Sequence, residues 1–111
     1  DKRRNKRSIM GKNRTIKILG NIIGNIVVHK ILIEHTHKPE SIPHMTKEVG
    51  VYGENASEIA QEFNWNDKDK IKIHEEALKK FNHNMKQYYS DVIFPKDEVP
   101  ILIDEIIDEY I

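Results

Sequence analysis

Four histidines, His29, His35, His37 and His44, fall within sixteen residues, with Glu34 and Glu40 beside them. Imidazole nitrogens bind zinc well and three such ligands suffice for a site, so His35, His37 and His44 form the candidate metal set. Their spacing follows no established ligand pattern. His35 and His37 are two apart, so a helix turns them to different faces, whereas a strand puts them on the same one. The simpler reading is a group of solvated histidines at a helix end and in a loop. Cysteine is absent, which removes disulfides, thiolate metal sites and thiol nucleophiles. His74 sits within an otherwise apolar stripe. General acid or base work needs a positioned partner, and its neighbours Glu75 and Glu76 point elsewhere on a helix. A core-edge histidine with a satisfied polar tip explains it as well. Nothing assembles a nucleophile, base and oxyanion site. There is no glycine-rich phosphate loop. No catalytic residue is assigned, no cofactor is implied, and a non-enzymatic protein is expected.

Basic residues supply a second candidate chemistry. Residues 1–14 hold Lys2, Arg3, Arg4, Lys6, Arg7, Lys12 and Arg14 against Asp1, a local charge of +6. Lys68, Lys72, Lys79 and Lys86 share one face of a helix. Arm and stripe together could track a nucleic-acid backbone. Opposed to this are the missing interleaved aromatics and the diluting carboxylates of Glu75 and Glu76. The tight link between the second and third helices invites a helix–turn–helix interpretation. The third helix is too long for it, and the start holds Lys68, Asp69 and Lys70 rather than base-reading side chains. The Arg-then-His spacing of small all-α ribonucleases is also missing. At the other end, residues 97–111 carry six acids and no base. The two ends cancel, and the net charge is zero.

The elements that must position these residues are legible from periodicity. Met45, Val49, Tyr52, Ala56, Ile59 and Phe63 recur at steps of three and four, as do Ile71, His74, Leu78, Phe81, Met85 and Tyr88. Such steps put each set on one stripe of a helix. Two consecutive stripes predict two packed, roughly antiparallel helices. The first runs from about Pro43 to Asn64, with Ser41 as N-cap and a potential break at Gly50 and Gly53. The second is capped by Asn66 or Asp67. A last amphipathic helix starts at Asp97 or Glu98, with Pro100 in its first turn. Between residues 14 and 36 two readings compete. Ile18/Leu19, Ile22/Ile23 and Ile26/Val27 repeat every four residues around Gly20-Asn21 and Gly24-Asn25. This pattern fits a broadly apolar helix whose glycines, one turn apart, let another backbone approach. A short β-hairpin turning at Gly24-Asn25 is the alternative. Ile22-Ile23 and Ile26-Val27-Val28 do not alternate as strands should, so helix is favoured.

The expected architecture is therefore all-α: one domain of about four helices, up-down, over residues 14–111, behind a flexible basic arm at 1–13. Met10-Gly11 inside that arm is a candidate native start. The apolar stretch Ile16–Ile33 is interrupted by Lys17, Asn21, Asn25, His29 and Lys30. A membrane span needs about 20 predominantly apolar residues, so none is expected. With no apolar secretory segment behind the basic N-terminus, the expected location is the cytoplasm. Counting apolar faces suggests more than a small bundle can hide. Leu102, Ile103, Ile106, Ile107 and Tyr110 are then the expected contact surface of a homodimer. The function expected is that of a self-associating interaction or adaptor protein with an unidentified protein partner. Nucleic-acid binding is the alternative, and a histidine-dependent metal protein or hydrolase a third.

Overall fold

A computed structural model describes residues 11–36 and 38–111. Among these residues there are four α-helices and no strand: α1 (Lys12–His35), α2 (Ile42–Ala60), α3 (Asp67–Tyr88) and α4 (Glu98–Tyr110). A single 3-10 turn, Pro39–Ser41, leads into α2. The segment 14–36 is thus helical, and the hairpin is not formed. The basic arm and His37 lie outside the described residues, except that Lys12 and Asn13 open α1.

Chain direction alternates, up-down-up-down. Gly20 and Gly24 of α1 meet Glu76, Ala77 and Lys80 of α3 in ascending order, so these two helices run parallel. The pairing of Asn25 with Asn84 continues that order. α1 touches all three other helices, whereas α2 and α3 make no comparable contact with each other. The two stripes read from the sequence therefore do not face one another. Both pack on α1, which lies between them.

Glycine explains why. A Cβ on Gly24 would lie 2.7 Å from the Lys80 Cβ and 2.8 Å from the Ala77 carbonyl oxygen. Gly20 is as tightly seated, against Glu76 and the Ala77 backbone. Each glycine costs a helix interior about 1 kcal/mol relative to alanine. In return the α1 and α3 backbones reach a separation no larger residue allows. The Ile and Val side chains of α1 fill the remaining directions, and Leu19, Ile23, Ile26, Val27 and Ile31 are fully buried. By length and composition α1 would pass as a membrane span. In this fold its apolar circumference is covered by α2, α3 and α4 instead.

Helix ends follow local chemistry. The Asn66 side chain accepts from the Asp69 N–H at 2.8 Å, and the Asn66 N–H donates to Asp69 Oδ2 at 3.2 Å, a reciprocal capping box for α3. α2 runs unbroken through Gly50 and Gly53 and stops at Ala60, short of Asn64. There the Trp65 indole N–H donates to the Ala60 carbonyl oxygen at 2.7 Å, beside a longer 3.4 Å bond from the Phe63 N–H to the same terminal acceptor. Gly53 is buried, with the Tyr110 ring lying where its Cβ would be, 2.5 Å away. On α3 the buried row is Ile73, Ala77, Phe81 and Met85. Ile71 and Tyr88, counted in the apolar stripe, are 59% and 68% exposed.

The residues expected at a dimer face sit against the monomer's own core. Ile103, Ile106 and Ile107 are buried within the monomer's own core, and Leu102 and Tyr110 are half-buried at its margin. The broad apolar circumference of α1 absorbs a face that counting treated as surplus. Ile106→Asp should consequently unfold the chain, at a cost of about 4 kcal/mol or more, since it buries an unpaired charge. Loss of the helical circular dichroism signal is the readout. The glycines give a prediction of opposite signs. Gly24→Ala should lower stability by about 1–3 kcal/mol through overpacking despite its better helix propensity. Gly50→Ala, with nothing within 4 Å, should raise it by about 0.5–1 kcal/mol. Urea unfolding of the two variants measures both.

Candidate functional site

Ionisable side chains gather where helices meet, and three histidine–carboxylate groups mark three seams. The first joins α1 to α2. One helical turn puts His29 Nδ1 2.7 Å from the Asn25 carbonyl oxygen, and Nε2 lies 2.9 Å from Glu48 Oε2. His44, one turn before Glu48 on α2, contacts its other oxygen. The Tyr52 hydroxyl donates to Glu48 Oε2 at 3.4 Å, and the Tyr52 ring meets His29 edge-on at 5.5 Å. Burial, then the Glu48 carboxylate, holds the Tyr52 hydroxyl above its ordinary pKa. Glu48 thus collects three donors, and the group reads as a polar fastener between α1 and α2.

The second group joins α3 to α4. His74 Nδ1–H donates to Asp104 Oδ1 at 2.6 Å. Asp104 is the positioned partner missing from the sequence neighbourhood of His74. The pair lines an open depression of about 450 Å³, together with Lys70, Ile71, Glu75, Ile107 and Asp108. A carboxylate on Nδ1 orients an imidazole as it does in acid–base dyads. Among the described residues, no hydroxyl or thiol side chain lines the depression.

The third group joins α1 to α4 and includes one member of the candidate metal set, His35. His35 stands next to Glu34 at the end of α1, with its Nε2 3.8 Å from Glu34 Oε2. Glu98, in the first turn of α4, completes a trio whose ligand atoms all lie within 4.8 Å of one another. His35 is thus gathered with two carboxylates. His44 belongs to the Glu48 group instead, and His37 lies outside the described residues.

The cationic candidates divide. Lys2, Arg3, Arg4, Lys6 and Arg7 lie outside the described residues, and Arg14 is exposed on the first turn of α1. Lys12 is engaged: its Nζ lies 2.6 Å from Asp69 Oδ2 and 5.4 Å from the centroid of the Trp65 ring. This contact ties the N-terminus of α1 to that of α3. Lys68, Lys72, Lys79 and Lys86 are all exposed on the outer face of α3, with Lys79 3.5 Å from Glu76. Tyr52, Asp104 and Glu98 escaped sequence reasoning because no local pattern links them to their histidines. Only the alternation of helix direction could have suggested such pairings. Comparison with protein families, with curated proteins and with solved structures finds no match.

Asp69 offers a pH test of the latch between α1 and α3. The hydrogen bond from Lys12 lowers its carboxyl pKa most, followed by the Asn66 N–H, and the charges of Lys12 and Lys72 act in the same direction. A carboxyl lowered in the folded state contributes stability above its unfolded pKa of about 3.9, and loses that contribution as pH falls through the folded value. Asp69→Asn should therefore be less stable than the wild type at pH 7, with the gap closing below about pH 4. Urea unfolding across pH 2–7 reads the difference, and an unchanging gap would count against the latch.

Proposed function

We propose that this chain is a non-enzymatic helical interaction domain of the cytoplasm that works by self-association, with the outer face of α3 and α4 as its contact surface. The observation that carries this reading is charge segregation around an exposed apolar residue. Lys68, Lys72, Lys79 and Lys86 line the outer side of α3, and Asp104, Glu105, Asp108 and Glu109 are exposed on α4. Ile71 lies between them, 59% exposed at the edge of the open depression. A two-fold axis near Ile71 would lay α3 of one copy along α4 of the other, lysines facing acids twice over. Such a contact is isologous, with an apolar centre and a polar rim. Zero net charge removes the long-range repulsion that would oppose it. Glu75, within the lysine stripe, weakens the field without reversing it.

Sedimentation equilibrium at about 100 μM protein and 50 mM salt should give a dimer that weakens as salt rises, because its rim pairs are screened. Ile71→Asp, an exposed change that the fold tolerates, should yield a monomer. A doubly substituted Lys72→Glu/Lys79→Glu chain and a doubly substituted Glu105→Lys/Asp108→Lys chain should each be monomeric alone. Mixed, they should pair with each other. A wild-type monomer under these conditions overturns the proposal. Binding of single- or double-stranded nucleic acid at 50 mM salt, lost in the lysine variants, would replace it with the nucleic-acid alternative.

A further inference from the structure

We infer that Glu34, His35 and Glu98 form a divalent-cation site that clips the end of α1 to the start of α4. Two independent costs converge there. His35 Nε2 is buried and has no hydrogen-bond partner, a condition native interiors rarely leave uncompensated. The Glu34 and Glu98 carboxylates, from the end of α1 and the start of α4, gather around His35 so that one ligand atom from each of the three residues lies within 4.8 Å of the others. Like charges at that separation repel, and the Nε2–Glu34 distance of 3.8 Å is too long for a hydrogen bond to offset it. A divalent cation removes both costs together. It takes the lone pair of the neutral imidazole and neutralises the two carboxylates.

The geometry suits this with small movements. Ligand atoms on one tetrahedral ion are roughly 3–3.5 Å apart, given metal–ligand distances of about 2.0–2.2 Å. Glu34 and Glu98 are exposed and free to swing inward, whereas the half-buried His35 fixes the centre. One imidazole and two carboxylates make a mixed nitrogen–oxygen set, suited to Zn²⁺ or Mn²⁺ more than to the all-oxygen preferences of Mg²⁺ and Ca²⁺. Three protein ligands leave a position for water or for a donor from a partner. Because the ligands come from two helices, the ion binds the folded chain and stabilises it.

The test uses Zn²⁺ alone with the full chain. At 100 μM Zn²⁺ the melting temperature should rise by several degrees in the wild type, and the shift should vanish in His35→Gln and in Glu98→Gln. Isothermal titration should show Zn²⁺ affinity falling at least about tenfold in either variant. His44→Ala, which removes a histidine from the neighbouring Glu48 group, should leave the shift intact. Co²⁺ titration gives a readout independent of folding stability, with visible absorption bands expected in the wild type and lost in His35→Gln. No shift in the wild type, a shift retained in His35→Gln, or a shift abolished by His44→Ala would each overturn the site.

Discussion

Everything in this bundle depends on how closely α1 and α3 approach at Gly20 and Gly24. In a square four-helix arrangement the parallel helices sit on a diagonal and stay apart. Here the diagonal collapses, because neither glycine has a side chain and the facing position on α3 is Ala77. Once α1 and α3 touch along their length, α2 and α3 cannot also pack against each other. α2 takes another flank of α1, and α4 closes the structure by touching all three. The parallel pairing also brings two helix N-termini side by side, where partial positive charges would repel. Asp69 sits between them, held by Lys12 and by the capping box, and supplies the compensating negative charge.

Much of this was legible in the chain. Helix type, the broad apolar face of α1, the closely approached glycines, a cap at Asn66 or Asp67 and the start of α4 all follow from periodicity and end chemistry. The rotation of α3 did not. Weighting residues by size selects Ile71 and Tyr88, but a helix crossing at glycine buries its smallest side chain. The core face turns toward Ala77 and carries Ile73 inward with it. A stripe alternating steps of three and four stays nearly straight on a helix of 3.6 residues per turn, whereas the observed row, at steps of four, winds around it. The apolar face that counting treats as surplus has a related explanation. A helix apolar on nearly all sides can be enclosed by three others, so α4 finds its cover inside the monomer.

The candidate chemistry was legible only as an inventory. His29, His35 and His74 could be singled out, but Glu48, Glu98 and Asp104 could not be attached to them. Those carboxylates come from other helices, Glu48 at 19 residues from His29 and Asp104 at 30 from His74. A shared pattern then emerges. Imidazole bridges short gaps between helices while keeping an apolar body against the core, so histidine suits the margin where α1, α2, α3 and α4 meet.

Gly53 and Tyr110 carry a consequence for how this sequence can change over time. The tyrosine ring fills the space that a side chain at 53 would need, and burial, then the Glu109 carboxylate, holds its hydroxyl above its ordinary pKa. Neither position is free to vary alone: a larger residue at 53 evicts the ring, and a smaller one at 110 leaves a void over the glycine. Divergent copies of this fold should therefore show the two sites substituting as a pair. Gly53 would accept bulk only in lineages where the aromatic at 110 has been lost, which leaves a statistical trace of the α2–α4 contact in any set of descendants.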